Sequence, residues 1–176
     1  MTRIDTWLAL VALIVSILAL GLSVYFWRRQ FRPIVTAAVR THAGGSEGIT
    51  YDLVVMNSGT IPARNICLRV ESQAELVAAL EAGATPENKA AWLSCFDEAT
   101  VIEFLHNGAS TKCAFGATRR PASIGFWKPD ARIRIKVTYQ GWFGREFTER
   151  QVLRIHDTDS FTQSMWAPSQ RDTSAT

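Results

Sequence analysis

The order of apolar and polar positions divides the chain into two regimes. From Trp7 to Trp27 there are 21 residues with no charge and no proline. As a helix rising 1.5 Å per residue, this run covers about 31 Å, enough for a hydrocarbon core of about 30 Å. Trp7 at one end and Tyr25, Phe26 and Trp27 at the other stand where interfacial aromatics stand. Pro33 then forces Arg32 into extended backbone and ends the helical reading. Beyond it the period drops to two. Residues 34–42 and 49–57 read as strands around a turn with three glycines, and Ile49, Tyr51, Leu53 and Val55 share one face. Residues 64–70 follow an NSGTIPA loop and alternate through Ile66, Leu68 and Val70.

The middle of the chain changes period again. In residues 73–82, Leu76, Val77 and Leu80 fall at helical spacing, and Gly83 is a stop signal. Thr85-Pro86-Glu87 is a second start, with Thr85 as N-cap and Pro86 at the first helical position, for a helix running to about Cys95 and burying Trp92. Strand patterns resume at 100–106 and 111–117. A strong hairpin is expected over 131–140 and 145–155, with Ile133, Ile135, Val137 and Tyr139 inward. About seven such strands predict a mainly β fold: one N-terminal transmembrane helix, then an immunoglobulin-like β-sandwich with a helical insertion. The expected organisation is a short flank 1–6, a transmembrane helix 7–27, a basic juxtamembrane segment 28–32, the sandwich 33–156 with its insertion at about 73–96, and a polar tail 157–176. Phe161 and Trp166 in the tail are candidates for docking back on the domain.

A cleaved signal peptide is the competing reading of the apolar run. Its core is shorter, about 7 to 15 residues, and ends at small residues, whereas here apolar and aromatic residues continue to Trp27. Arg28, Arg29 and Arg32 follow the span at once, while Arg3 beside Asp5 is the only basic side chain before it. Basic residues favour the cytoplasmic side, so the expectation is an inner-membrane protein with its N-terminus outside and its domain in the cytoplasm. Within the span, Ala9, Ala12, Ser16, Ala19 and Ser23 repeat at intervals of 3, 4, 3 and 4, a register that Asp5 and Thr2 continue backwards. Small residues on one stripe let helix backbones approach, which suits a partner helix from a second copy or another protein. Chance register of common membrane-helix residues is the plainer alternative.

Charge adds a second asymmetry. The net value is +3, but residues 71–103 hold seven acids against Lys89 alone, and residues 119–154 hold nine basic residues against three acids. Arg132, Arg134 and Lys136 form an outward stripe on the hairpin, joined across it by Arg150 or Arg154. The stripe suits anionic lipid headgroups or an acidic partner, and equally an ordinary solvated face that discourages edge pairing. Nucleic acid is not expected, since no stacking aromatics are interleaved with the basic residues. The three cysteines, Cys67, Cys95 and Cys113, have no CxxC spacing and read as free thiols in a reducing compartment, with one disulfide and a spare thiol left open. His42, His106 and His156 are dispersed without metal-ligand spacing, and a Cys113–His pair would need the fold to make it. No phosphate-binding or nucleophile-elbow motif occurs, so neither an enzyme nor a cofactor is expected.

The order of these elements carries a resemblance. A membrane helix, a proline-led first strand, LVVMNSGTIPARNICLRV, FLHNGAS and VTYQGWFGREFTER together resemble uncharacterised prokaryotic single-pass membrane proteins that carry a small immunoglobulin-like domain. In those domains an N-x-G-x-x-P-A-x-N loop joins two core strands, and Asn57, Gly59, Pro62, Ala63 and Asn65 match it. The resemblance covers most of residues 1–155, departs at the acidic insertion, and implies fold and location without an activity. If successive strands alternate away from and toward the bilayer, residues 57–63, 107–110 and 141–144 lie near it. Trp142 and Phe143 then sit at the lipid interface, and Phe126 and Trp127 sit at the far end. Trp127, Arg132, Arg134, Lys136 and Trp142 are the candidate interface, with packing on the sandwich ends as the alternative for the aromatics. The expected role is a membrane-anchored, non-enzymatic interaction or scaffold module. Its expected partners are membrane lipid and a protein or second copy met through the helix. An accessory subunit of a larger membrane complex and an external sensory or adhesion domain are the alternatives.

Overall fold

The computed structural model describes residues 2–156, apart from the side chains of residues 2–5, 28–30 and 143. Helix α1 runs Thr2–Gln30 without a break. Its apolar segment Thr6–Trp27 is long and apolar enough to cross a membrane, and none of it is buried against the rest of the chain. Seven strands follow: β1 Val35–Gly45, β2 Gly48–Asn57, β3 Ala63–Val70, β4 Ile102–Leu105, β5 Ser110–Arg119, β6 Arg132–Gln140 and β7 Glu146–Arg154. They form two antiparallel sheets, β1-β2-β5 and β4-β3-β6-β7. The inward faces of both sheets meet in one apolar core. Tyr51, Leu53 and Val55 come from one sheet, and Ile66, Ile133, Ile135 and Val137 from the other, as period-two alternation requires.

Strand direction sorts the loops between two ends. Ala63 pairs with Leu105, Arg64 with Gln140, and Met56 with Ser110, so the loops after β2, β4 and β6 gather at the Pro33 end. Asn57 holds this end together. Its side chain is fully buried and all four of its hydrogen-bond positions are used. Oδ1 accepts from the Ile34 and Gly59 amides at 3.2 and 3.0 Å, and Nδ2 donates to the Ile61 and Leu105 carbonyls at 2.8 and 3.1 Å. Gly59 passes so close to the chain at Arg32–Ile34 that a Cβ there would strike backbone. Asn65 adopts φ 50°, a left-handed value Asn tolerates, at the bulge that offsets β3 from β6. The bulge leaves Arg64 and Asn65 both outward while Ala63 and Ile66 are both buried.

The insertion between β3 and β4 holds α2 Gln73–Ala79, α3 Pro86–Trp92 and a 3-10 turn at Ser94–Phe96. Ser72 caps α2 by accepting from the Glu75 amide, and Thr85 caps α3 by accepting from the Asn88 amide. Both helices end earlier than their spacing predicts. Leu80 leaves α2 to make a β-bridge with Trp127, and Val77 points to solvent while Leu76 and Ala79 are buried. Lys128 donates its backbone amide to the Ala79 carbonyl and Nζ to Ala78, closing the C-terminus of α2.

On the side where β1 meets β7, a side chain substitutes for a ladder. Gln151 of β7 accepts from the Ala37 amide and donates to the Val35 carbonyl, each at 2.8 Å. The opposite side is less well covered. Residues 110–114 of β5 are exposed, although Thr111 and Cys113 lie opposite Val55 and Leu53 on the inward face.

Candidate functional site

Three surfaces carry the residues singled out in the sequence. The first is the helix. Ala9, Ala12, Ser16, Ala19 and Ser23 are exposed along α1, and Ser16 returns its hydroxyl to the Ala12 carbonyl at 2.8 Å. Its donor is thereby satisfied inside the helix, leaving the stripe sterically small and without a free hydroxyl hydrogen at Ser16. The Thr2 and Asp5 side chains that extend this register lie outside the described residues, as do those of Arg28 and Arg29; Arg32 is exposed.

The second surface is the Pro33 end of the domain. Trp142 is 49% exposed in the turn after β6, and Phe31 and Phe104 are exposed as well. Arg64 lies over the Phe104 ring at 5.4 Å, and Arg145 over Phe147 at 5.3 Å. Such stacking keeps a guanidinium flat on an apolar surface at little desolvation cost. Gly141 sits under Phe147 and the Pro33 ring, and the Tyr139 hydroxyl donates to Glu149 at 2.8 Å, with the Pro33 carbonyl 3.3 Å from the same oxygen. Burial and, secondly, the Glu149 carboxylate push the Tyr139 pKa well up, so it is a neutral donor. The Phe143 side chain, and Phe161 and Trp166, lie outside the described residues.

The third is the outer face of β6 and β7, where Arg132 and Lys136 are exposed. Arg134 is not a free cation. Glu75 of α2 grips its guanidinium with both oxygens, one of them 3.0 Å from Nε, and Arg150 reaches Glu71 at 2.9 Å. The acidic and basic blocks, separate in sequence, are therefore folded against each other. The Arg134 hydrogen bonds hold the Glu75 carboxyl below the usual range. Arg132 faces Arg154, and Lys136 faces Arg150, across the hairpin. Like charges placed so are mutually unfavourable unless acids intervene, as Glu71 does at Arg150.

Trp127 is a correction. Expected at a distal interface, it is completely buried. Its Nε1 donates to the Phe115 carbonyl at the bulge of β5, and its ring packs on Phe115 and Phe126 with centroids 4.8 Å from each. Gly116 makes room: φ is +80°, and an added Cβ would stand 2.7 Å from Phe126 and 2.9 Å from Trp127 Nε1. Phe126 is buried with it, and half-buried Trp92 meets Phe126 edge-on at 4.8 Å. This aromatic cluster is core.

The histidines are apart. His42 contacts Asp52 at 3.1 Å, an acid that also receives Lys112 at 2.9 Å; Asp52 is held low first by the Lys112 hydrogen bond, against burial. His106 lies edge-on to Phe104, and the His156 carbonyl accepts from Tyr51. No group of three potential metal ligands occurs among the described residues.

Cys113 meets a cysteine instead of a histidine. The two thiols are neighbours in one slot, and that of Cys95 donates to the Trp92 carbonyl at 3.8 Å. They stand at a slot of about 150 Å³ between the uncovered half of β5 and the segment 94–102, lined by Leu53, Val55, Ile66, Leu68 and Ile102. Cys95 is buried and Cys113 exposed. The pair escapes sequence reading because the 3-10 turn that presents Cys95 is placed by α2 and α3, not by its distance along the chain from Cys113.

The curated proteins and the solved structures contain no significant match to this chain. Residues 4–160 match a family described as a domain of unknown function, DUF8453, and over that span the chain belongs to this family.

Proposed function

We propose that the protein is a membrane-anchored, non-enzymatic interaction or scaffold module that presents an immunoglobulin-like domain at the cytoplasmic face of the cell membrane. The observation that carries this reading is α1: a strongly apolar, uncharged segment of 22 residues that the domain leaves entirely uncovered. An apolar helix of that length needs an apolar surround, and the chain itself supplies none. Support for the immunoglobulin-like assignment comes from the strand order β1-β2-β5 facing β4-β3-β6-β7, with the chain crossing between sheets after β2, β4 and β5. The orientation rests on Arg28, Arg29 and Arg32. In it, Trp142, Phe31 and the ring-stacked Arg64 and Arg145 lie toward the lipid interface, where aromatic and basic side chains are favoured.

The test is topological. Cys67, Cys95 and Cys113 are replaced, one cysteine is introduced in residues 157–176, and intact cells are treated with a membrane-impermeant thiol label. Labelling only after lysis is the expected result. Labelling of intact cells overturns the orientation and favours an external sensory or adhesion domain. Recovery of the chain in the soluble fraction overturns the anchor itself.

The second reading is an accessory subunit held in a larger membrane complex through α1. The exposed stripe Ala9, Ala12, Ser16, Ala19 and Ser23 favours it. Exchanging α1 for a generic membrane helix separates the two, since association survives in a module and is lost in a subunit of this kind.

A further inference from the structure

We propose that Cys95 and Cys113 are a reversible dithiol–disulfide site, with Cys113 the attacking thiol and Cys95 the resolving one, oxidised by a low-molecular-weight disulfide. Three observations meet here. Both thiols line one slot, so closing a bond of about 2.05 Å between them needs side-chain rotation and a shift of the turn. Cys113 is exposed on an edge strand of its sheet, while Cys95 is buried behind it. The slot beside the pair gives the inner face of β5 room to move, because residues 110–114 are uncovered there.

The two thiols are chemically unequal. The neighbouring Cys95 thiol lowers the Cys113 pKa to about 7, against the opposing effects of desolvation and Asp52. The Cys113 sulfur and burial push Cys95 well up. Nucleophilic attack therefore begins at Cys113, the more accessible thiolate. Its thiolate attacks one sulfur of the oxidant, forming a mixed disulfide and expelling one thiolate. Cys95 gives its proton to that thiolate and attacks the Cys113 sulfur, expelling the second half of the oxidant. In sum two protein thiols become one disulfide and one small disulfide becomes two thiols. The bond ties the insertion to β5 across the slot and closes the loop containing β4.

The full chain in detergent is equilibrated in buffers of reduced and oxidised glutathione, quenched in acid and alkylated. The expected result is a fall from three alkylatable thiols to one, Cys67, with a peptide linking Cys95 to Cys113 and full recovery under dithiothreitol. The rate of oxidation rises with pH and levels off above about pH 7. Cys95→Ser traps glutathione on Cys113. Cys113→Ser, at an exposed position, forms no disulfide and leaves Cys95 unreactive. Three thiols persisting at high oxidised glutathione, a link to Cys67, an intermolecular dimer, or a wild-type adduct that never resolves would each overturn the proposal.

Discussion

Glu75 of α2 and Arg134 of β6 form a two-pronged ion pair that fastens the helical insertion to the outer face of the second sheet. Both side chains are partly exposed, so the pair acts mainly on where the insertion sits.

Glu75→Gln lowers the melting temperature modestly at low ionic strength, and about 1 M salt removes most of the difference. The carboxyl pKa is depressed in the folded state, so its contribution is fully present above the ordinary value of 4.5 and is lost as pH falls through the folded value. Wild type and variant therefore converge in acid. Thermal scans across pH and salt check both statements.

Asn57→Ala leaves two amides and two carbonyls without their side-chain partner at the Pro33 end. The expected loss is about 3–5 kcal/mol, read as a lower urea midpoint at unchanged slope. Asn57→Asp is no rescue at neutral pH, because a carboxylate has nothing to donate to Ile61 and Leu105.

Gly116→Ala adds a methyl at φ +80° against Phe126 and Trp127, for an expected loss of about 2–4 kcal/mol. Gly108→Ala is its control. It has a similar φ of +72° and open space around it, and should lose only the conformational part, about 1–2 kcal/mol. Denaturant melts of the two variants side by side separate packing from backbone preference.

Leu at both Ala12 and Ala19 fills the small-residue stripe of α1. A partner helix seated there is displaced, and cross-linked association in detergent falls at least severalfold. Unchanged association assigns any contact to the domain and removes the stripe from the argument.

Strands and caps were legible because their signals are local. Alternation at Ile133, Ile135, Val137 and Tyr139 marks β6, and Thr85-Pro86 marks the start of α3. Ser72 followed by Glu75 is an equally plain capping signal at α2, overlooked beside the apolar spacing. What composition and period cannot carry is the partner across space. Trp127 looks like a surface aromatic in sequence, and only the bulge at Gly116 provides the carbonyl and the room that bury it. Glu71 and Glu75 look like a solvated helix face until β6 and β7 present Arg134 and Arg150 to them. Cys95 and Cys113 carry no motif at all.

The bridge made by Gln151 has a mechanical consequence. β1 and β7 lie side by side, and both run from the Pro33 end to the opposite end. A pull between α1 and the chain beyond Ile155 is therefore directed along these strands, across their hydrogen bonds. The ladder of β1 with β2 and the two Gln151 bonds are loaded in shear and must yield together, not peel open in turn. The domain is thus connected as a stiff link in series with its helix, able to bear tension along its long axis.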